Sequence, residues 1–195
     1  MPAVGSQGLL NDPNLQIITA RSCACEQVHM RVDMDPFKDK RVRQAVALTL
    51  DREGITKGLF QGRAEIGNDS PFAPVFPSTD TTVEQRKMDL GKAKELLAAA
   101  GVPNGFKVKL TTENYLEIPQ YAVLIQNACK KIGIDIELNV EAQDAYYGKA
   151  VVGSSDWLDS DLGITDYGHR GVPNVLLCAG IKSGGTWNSA HFKNP

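Results

Sequence analysis

Asp166, Tyr167 and His169 fall in one short stretch near the end of the chain. A carboxylate, a phenol and an imidazole that close could share an acid–base task. No companion motif supports it: there is no nucleophile elbow, no phosphate-cradling P-loop and no H-E-x-x-H helix. Catalysis, hydrolysis included, is therefore the weaker expectation. The four cysteines, Cys23, Cys25, Cys129 and Cys178, do not form the C-x2-C pairs of a zinc site, and His29, His169 and His191 are scattered. They read as buried free thiols, with one disulfide of unassigned pairing left open for an oxidising compartment. No metal and no cofactor are expected. Asn68 and Asp69 open residues 67–82, a stretch rich in Pro, Ser, Asp and Thr. Irregular loops of that length are uncommon in small domains and often functional, so both side chains are candidates to face a cleft. Tyr167 and Trp187 could pack on a ligand there, or simply be core and rim.

The elements that would position these residues follow from periodicity. Residues 7–10 read as the end of a helix and 11–14 as a turn. Residues 17–32 read as extended, with 15–18 and 26–32 as strands of a hairpin or meander and Cys23 and Cys25 pointing to one side. Asp39 can cap a helix that buries Val42, Ala45, Val46 and Thr49, leaving Arg41 and Arg43 to solvent or a partner. Asp51 offers a second cap before Ile55, Leu59 and Phe60, and Gly62 ends that unit. Asp89 caps a helix carrying Ala93, Leu96, Leu97 and Ala100, with Gly101 as its left-handed terminator. Phe106, Val108 and Leu110 alternate with polar residues, as do Ile134, Ile136, Leu138 and Val140. Between them Tyr121, Leu124, Ile125, Ala128, Cys129 and Ile132 define an amphipathic helix stopped by Gly133. Strand, helix, strand with tight links makes a βαβ unit with parallel strands and a right-handed crossover. Residues 143–151 read as a short helix. Leu158, Ser160, Leu162 and Ile164 alternate as one more strand, which ends at Gly163-Ile164-Thr165-Asp166-Tyr167. In α/β sheets a ligand sits beyond such carboxyl ends.

With 195 residues the chain can bury roughly 70% of its unfolded surface, enough for one core. A net charge of −2 argues against nonspecific binding to nucleic acid. No apolar run is long enough to span a membrane. Residues 1–5 have neither the charged nor the apolar region of an export leader.

The segment Pro36-Phe37-Lys38-Asp39-Lys40-Arg41-Val42-Arg43-Gln44-Ala45, closing on Leu50-Asp51-Arg52, resembles the central signature of the family 5 extracellular solute-binding proteins, P-F-x-D-x-R-V-R-Q-A followed by hydrophobic-D-R. Asp89-Leu90-Gly91-Lys92-Ala93-Lys94-Glu95-Leu96-Leu97 with Ala100-Gly101 resembles a second motif of that family. Residues 188–195 resemble its N-x-S-x-x-x-N-P. The resemblance implies an α/β fold, one lobe of a type II periplasmic-binding-protein-like structure, with a mixed sheet and packed helices. It implies residues 1–195 as one domain, cut at both ends from a larger two-lobed receptor, so that the isolated piece would self-associate through uncovered surface. The implied function is that of the solute-binding component of an ABC importer, periplasmic or extracytoplasmic. It would take a short peptide, or another small polar solute such as a nickel complex or a sugar, and deliver it to permease subunits. A peptide-responsive sensor or chaperone-like binder is the alternative. The family's strand end resembles G-W-x-x-D-Y-P-D-P, in which the acidic residue holds a peptide's amino group. Gly163, Asp166 and Tyr167 match after a shift of one residue; the tryptophan and the following Asp-Pro are absent. Asp166 is thus the expected amine ligand, since a protonated amine leaving water needs a carboxylate. Gly163, Thr165, Tyr167, Trp187, Asn68 and Asp69 complete the expected site.

Overall fold

The computed structural model describes residues 7–10, 12–18 and 20–193. Residues 1–5, Asn11 of the expected turn and the closing Asn194-Pro195 lie outside the described residues. Four strands, β1 (Cys25–Met30), β2 (Lys107–Glu113), β3 (Asp135–Glu141) and β4 (Leu162–Tyr167), form one mixed sheet in the order β1-β4-β2-β3. β2 pairs in parallel with β3 and with β4, and β1 runs antiparallel to β4. The helices are α1 (Gln7–Leu10), α2 (Lys40–Leu48), α3 (Arg52–Gly58), α4 (Leu90–Ala99), α5 (Ile118–Lys130), α6 (Gln143–Tyr147), α7 (Asp156–Asp159) and α8 (Asn174–Leu176), followed by one π-helical turn, Leu177–Ile181.

Capping by aspartate recurs as the sequence leads one to expect. Asp39, Asp51 and Asp89 accept hydrogen bonds from the free backbone N–H groups of Arg41, Gly54 and Lys92 at the starts of α2, α3 and α4. The buried stripe of α2 is Val42, Ala45 and Val46, extended by Thr49 and Leu50, and it meets Ala93 and Leu97 of α4. Phe37, fully buried just ahead of α2, stands edge-on to Phe106 with ring centroids 5.8 Å apart. Arg43 does not simply face solvent: its Nη1 donates to the carbonyls of Phe37 and Lys38 and fastens that turn to α2.

The β2–α5–β3 unit has the parallel strands expected of it. Its tight ends meet at Gly105 and Gly133, both with positive φ. A Cβ on Gly105 would lie 2.0 Å from the Gly133 carbonyl oxygen, and one on Gly133 would lie 2.7 Å from that of Asn104. Only glycine allows two turns to approach so closely. The face of α5 differs from expectation. Ile118, Ala122, Ile125, Cys129 and the following Ile132 are buried, whereas Leu124 is 38% exposed and Tyr121 and Ala128 are half-buried. A wide apolar stripe fits two rotations of the helix, and contact with β2 and β3 selects the one centred on Ala122 and Ile125.

Four further expectations are corrected. Residues 15–18 are exposed chain with no strand partner; β1 begins only at Cys25, so Cys23 lies ahead of the strand. Of the α3 set, Leu59 is buried but Ile55 and Phe60 are half-buried. The helix expected over 143–151 stops at Tyr147. Leu158 belongs to α7, where the Ser155 hydroxyl caps the Leu158 N–H and the Asp159 carboxylate accepts from Gly153 and Ser155, so the strand starts at Leu162. Local capping chemistry overrides the alternation there. Residues 67–82 contain no helix or strand.

Candidate functional site

The carboxyl ends of β2, β3 and β4 open on one edge of the sheet, where antiparallel β1 begins. Side chains alternate between faces along each strand. On β4, Leu162 and Ile164 lie in the main core beside Val28 and Met30 of β1. Asp166 continues that face at its rim, directly opposite Glu26 in the β1–β4 register. The other face carries Tyr167 opposite Cys25, packed into a second cluster with Tyr146, Trp157, Leu176 and Trp187.

Asp166 does not stand alone. Glu113 and Glu117 are close enough to act electrostatically on both Asp166 and Glu26. Among the described residues no Lys, Arg or His lies within ion-pair distance of any of these four carboxyls. Burial, followed by the charges of Glu117, Asp166 and Glu113, pushes the Glu26 carboxyl up to about 8, so it carries a proton at neutral pH. Burial and the charges of Glu113 and Glu117 also raise Asp166. One oxygen each of Glu26 and Glu117 is buried without a hydrogen-bond partner. Glu113 is fully buried, and its carboxylate accepts from the Tyr147 hydroxyl at 2.6 Å and from Gln143 at 2.7 Å. The Tyr147 oxygen also accepts from the Asp166 N–H at 3.3 Å, which ties the strand end to α6. An anionic rim of this kind, short of counter-charges, is chemically suited to a cation.

The aromatic side is separately built. Trp187 stacks on Tyr167 at 6.1 Å with the rings 31° apart. The Arg170 guanidinium lies over the Trp187 ring, 5.4 Å from its centroid. Buried Cys23 holds the intervening loop: its backbone N–H donates to His169 Nδ1, and its thiol exchanges hydrogen bonds with the Arg170 backbone.

Of the expected site residues, the structure brings Asp166, Tyr167 and Trp187 to one strand end. Gly163 lies at the opposite end of β4, about 13 Å away at the usual rise per residue. A Cβ there would fall 2.3 Å from the ring of His29, so this glycine makes room for the histidine. Thr165 is buried, with its hydroxyl 3.5 Å from His29 Nδ1. Burial pushes the His29 imidazole down to about 3. Asn68 bonds the carbonyls of Val83 and Glu84 and the N–H of Arg86, while Asp69 pairs with Arg52 at 2.8 Å and with Arg86. Both therefore close the 67–86 loop on itself and on α3. His169 serves Cys23. All four cysteines are free, with Cys23 and Cys129 buried, Cys25 half-buried and Cys178 exposed, contrary to the expectation that all are buried. Among the described residues no cluster of three metal-ligating side chains occurs. No described helix is long and apolar enough to cross a membrane. A surface hollow of about 600 Å³ lies elsewhere, between residues 174 and 186, and none of the strand-end carboxylates lines it. Sequence reasoning missed Glu26, Glu113, Glu117, Tyr147 and Arg170. Only Glu113, closing an alternating strand, left a readable trace.

The mixed sheet with its packed helices belongs to the type II periplasmic-binding-protein class. It superimposes on DppA, an ABC transporter-associated periplasmic binding protein from Helicobacter pylori solved with the peptide STSA. That match has a TM-score of 0.82 and 25% identity and covers 99% of this chain and 38% of the other. Residues 1–170 match the profile of the bacterial extracellular solute-binding proteins, family 5, and the chain belongs to that family. It is 27% identical to heme-binding protein A of Haemophilus influenzae, over 94% of this chain and 34% of the relative. It is 31% identical to the oligopeptide-binding protein AppA of Bacillus subtilis, over 65% of this chain and 26% of the relative. The chain thus spans between about a quarter and a third of the length of these curated relatives.

Proposed function

We propose that this chain is one lobe of a two-lobed receptor that binds short peptides outside the cytoplasmic membrane and delivers them to the permease of an ABC importer, without turnover. The observation that carries the reading is Asp166. It lies at the carboxyl end of a central strand, faces Glu26, and has no cation of its own. A peptide's α-ammonium would supply the missing charge. In a half-buried setting such a charge-assisted hydrogen bond is about twice as strong as a neutral one. Tyr167 and Trp187 would then lie against the peptide beyond its amino end. Peptide ligation by the H. pylori and B. subtilis proteins supports this choice among family solutes.

A thermal-shift screen of the intact protein against di- to pentapeptides, nickel–histidine complexes, heme and sugars tests it. Peptides with a free amino group should raise the melting temperature, and the other solutes should not. A shift with heme or sugar alone, or steady release of a product from any peptide, would overturn the proposal.

A further inference from the structure

His191 is held at both ring nitrogens. Its Nδ1 stands 3.2 Å from the Asp33 carboxylate. Its Nε2 stands 2.9 Å from the Leu158 carbonyl oxygen and 3.5 Å from the Asp159 carboxylate. All three oxygens are acceptors. Each nitrogen therefore needs a proton of its own to bond, and only the imidazolium carries both. The surrounding charges agree. Arg31 grips Asp33 with two hydrogen bonds of 2.8 Å and reaches Asp159 at 3.9 Å, while Asp161 also acts on Arg31. One guanidinium thus faces three carboxylates. The hydrogen bond from Arg31 holds Asp33 down at about 2. Against its burial, Asp159 is held low by the Ser155 and Gly153 N–H groups and by the charges of His191 and Arg31. Both stay ionised while an imidazole titrates. His29 feels the His191 charge but stays neutral, since burial pushes it down to about 3. His191 belongs to a strap, residues 187–192. Its backbone has φ +52°, a conformation that residues with a side chain adopt only when held there. The Asn188 side chain exchanges hydrogen bonds with the Phe192 backbone at 2.8 and 3.0 Å, and the Val32 N–H donates to the Ala190 carbonyl at 2.9 Å. At the strap's other end the Trp187 N–H donates to the Ala179 carbonyl at 2.8 Å, and the Tyr167 hydroxyl donates to the Trp187 carbonyl at 3.5 Å.

We propose that His191 is the proton-operated clasp of this strap. As imidazolium it joins the strap to the chain leaving β1 and to α7. Loss of the proton turns one ring nitrogen into a lone pair that faces an oxygen, so one side of the clasp opens. The left-handed turn at His191 then has one restraint fewer, and the strap loosens toward Trp187. Because the folded protein favours the proton here, the strap is fastened at low pH and released as pH rises. Trp187 stacks on Tyr167 at the strand-end site, so the aromatic side of that site answers to the pH around the protein. The inference stands apart from the solute-binding reading.

The test follows two signals on the intact protein between about pH 5 and about pH 8, the range in which imidazoles titrate. One is the emission of Trp187, taken as the difference between the protein and its Trp187→Phe variant, since Trp157 is the other tryptophan. The second is the nitrogen NMR signal of the His191 ring, assigned by its loss in His191→Gln and set apart from His169 by His169→Gln. In wild type the Trp187 emission should shift to the red as pH rises, along the same curve as the His191 ring. Glutamine places a donor on one side only, so His191→Gln should show the high-pH emission throughout the range. Glu26 and His169 are unchanged in that variant, so a shift that persists there belongs to them and would overturn the inference. A wild-type emission that stays constant, or that follows a different curve from the His191 ring, would overturn it too. Should His191→Gln fail to fold, the agreement or disagreement of the two wild-type curves, with the His169 ring assigned by its own variant, decides alone.

Discussion

Replacing Glu26 by Gln should remove a pH dependence that the wild-type protein carries. The Glu26 carboxyl is displaced from its ordinary 4.5 to about 8, first by burial and then by Glu117, Asp166 and Glu113. Because the folded-state value is the higher one, the folded protein holds more protons across that window. Wild type is therefore most stable below it and loses stability as pH rises through about 8. For a single group, the linkage between about pH 5.5 and about pH 8.5 amounts to a ceiling of about 3 kcal/mol. Glu26 is partly exposed and shares its charge with three other carboxyls, so roughly 1–2 kcal/mol is the realistic share. Glutamine imitates the protonated acid at every pH. Urea unfolding at both pH values reads the difference: the advantage of Glu26→Gln over wild type should grow by that amount from the lower pH to the higher. Parallel losses in both proteins would show that the carboxyl is not held protonated and that the rim is better solvated than its burial implies.

Two further substitutions test the fold around the site. Ile125→Asp should cost roughly 3–5 kcal/mol, because a charge enters the core unpaired, whereas its neighbour Leu124→Asp should cost less than about 1 kcal/mol. Equal melting temperatures for the two would refute the face assigned to α5. Gly163→Ala should cost about 1–3 kcal/mol, since the added methyl meets the His29 ring and the Ser160 hydroxyl. An unshifted melt would mean that the histidine has slack that its burial does not suggest.

Much of the fold was legible because its determinants are local. The caps at Asp39, Asp51 and Asp89, the alternation in β2 and β3, and the glycine stops are each set by a few neighbouring residues. What failed depended on distant partners or competing local chemistry. Which face of α5 is buried depends on the strands beneath it. The fate of Leu158 was decided by the Ser155 and Asp159 side chains. The site divided in the same way. That Asp166 and Tyr167 close a strand could be read from the alternation before them. Glu26 could not, because β1 pairs with β4 across more than a hundred intervening residues, and nothing near Glu26 in sequence announces its neighbour. Asn68 and Asp69 were misplaced for a related reason: their partners Arg52 and Arg86 turn a loop that looked available into one tied down by its own side chains.

The most direct measurement is calorimetric titration of Ser-Thr-Ser-Ala, and of the same peptide acetylated at its amino end, into wild type and Asp166→Asn, with the peptide recovered afterwards for mass spectrometry. The free-amine peptide should bind wild type at least about tenfold more tightly than the acetylated one, Asp166→Asn should erase that difference, and the peptide should return intact. Equal affinity for the two peptides in wild type, or recovery of cleaved peptide, would contradict a receptor that holds its solute by an ammonium at Asp166.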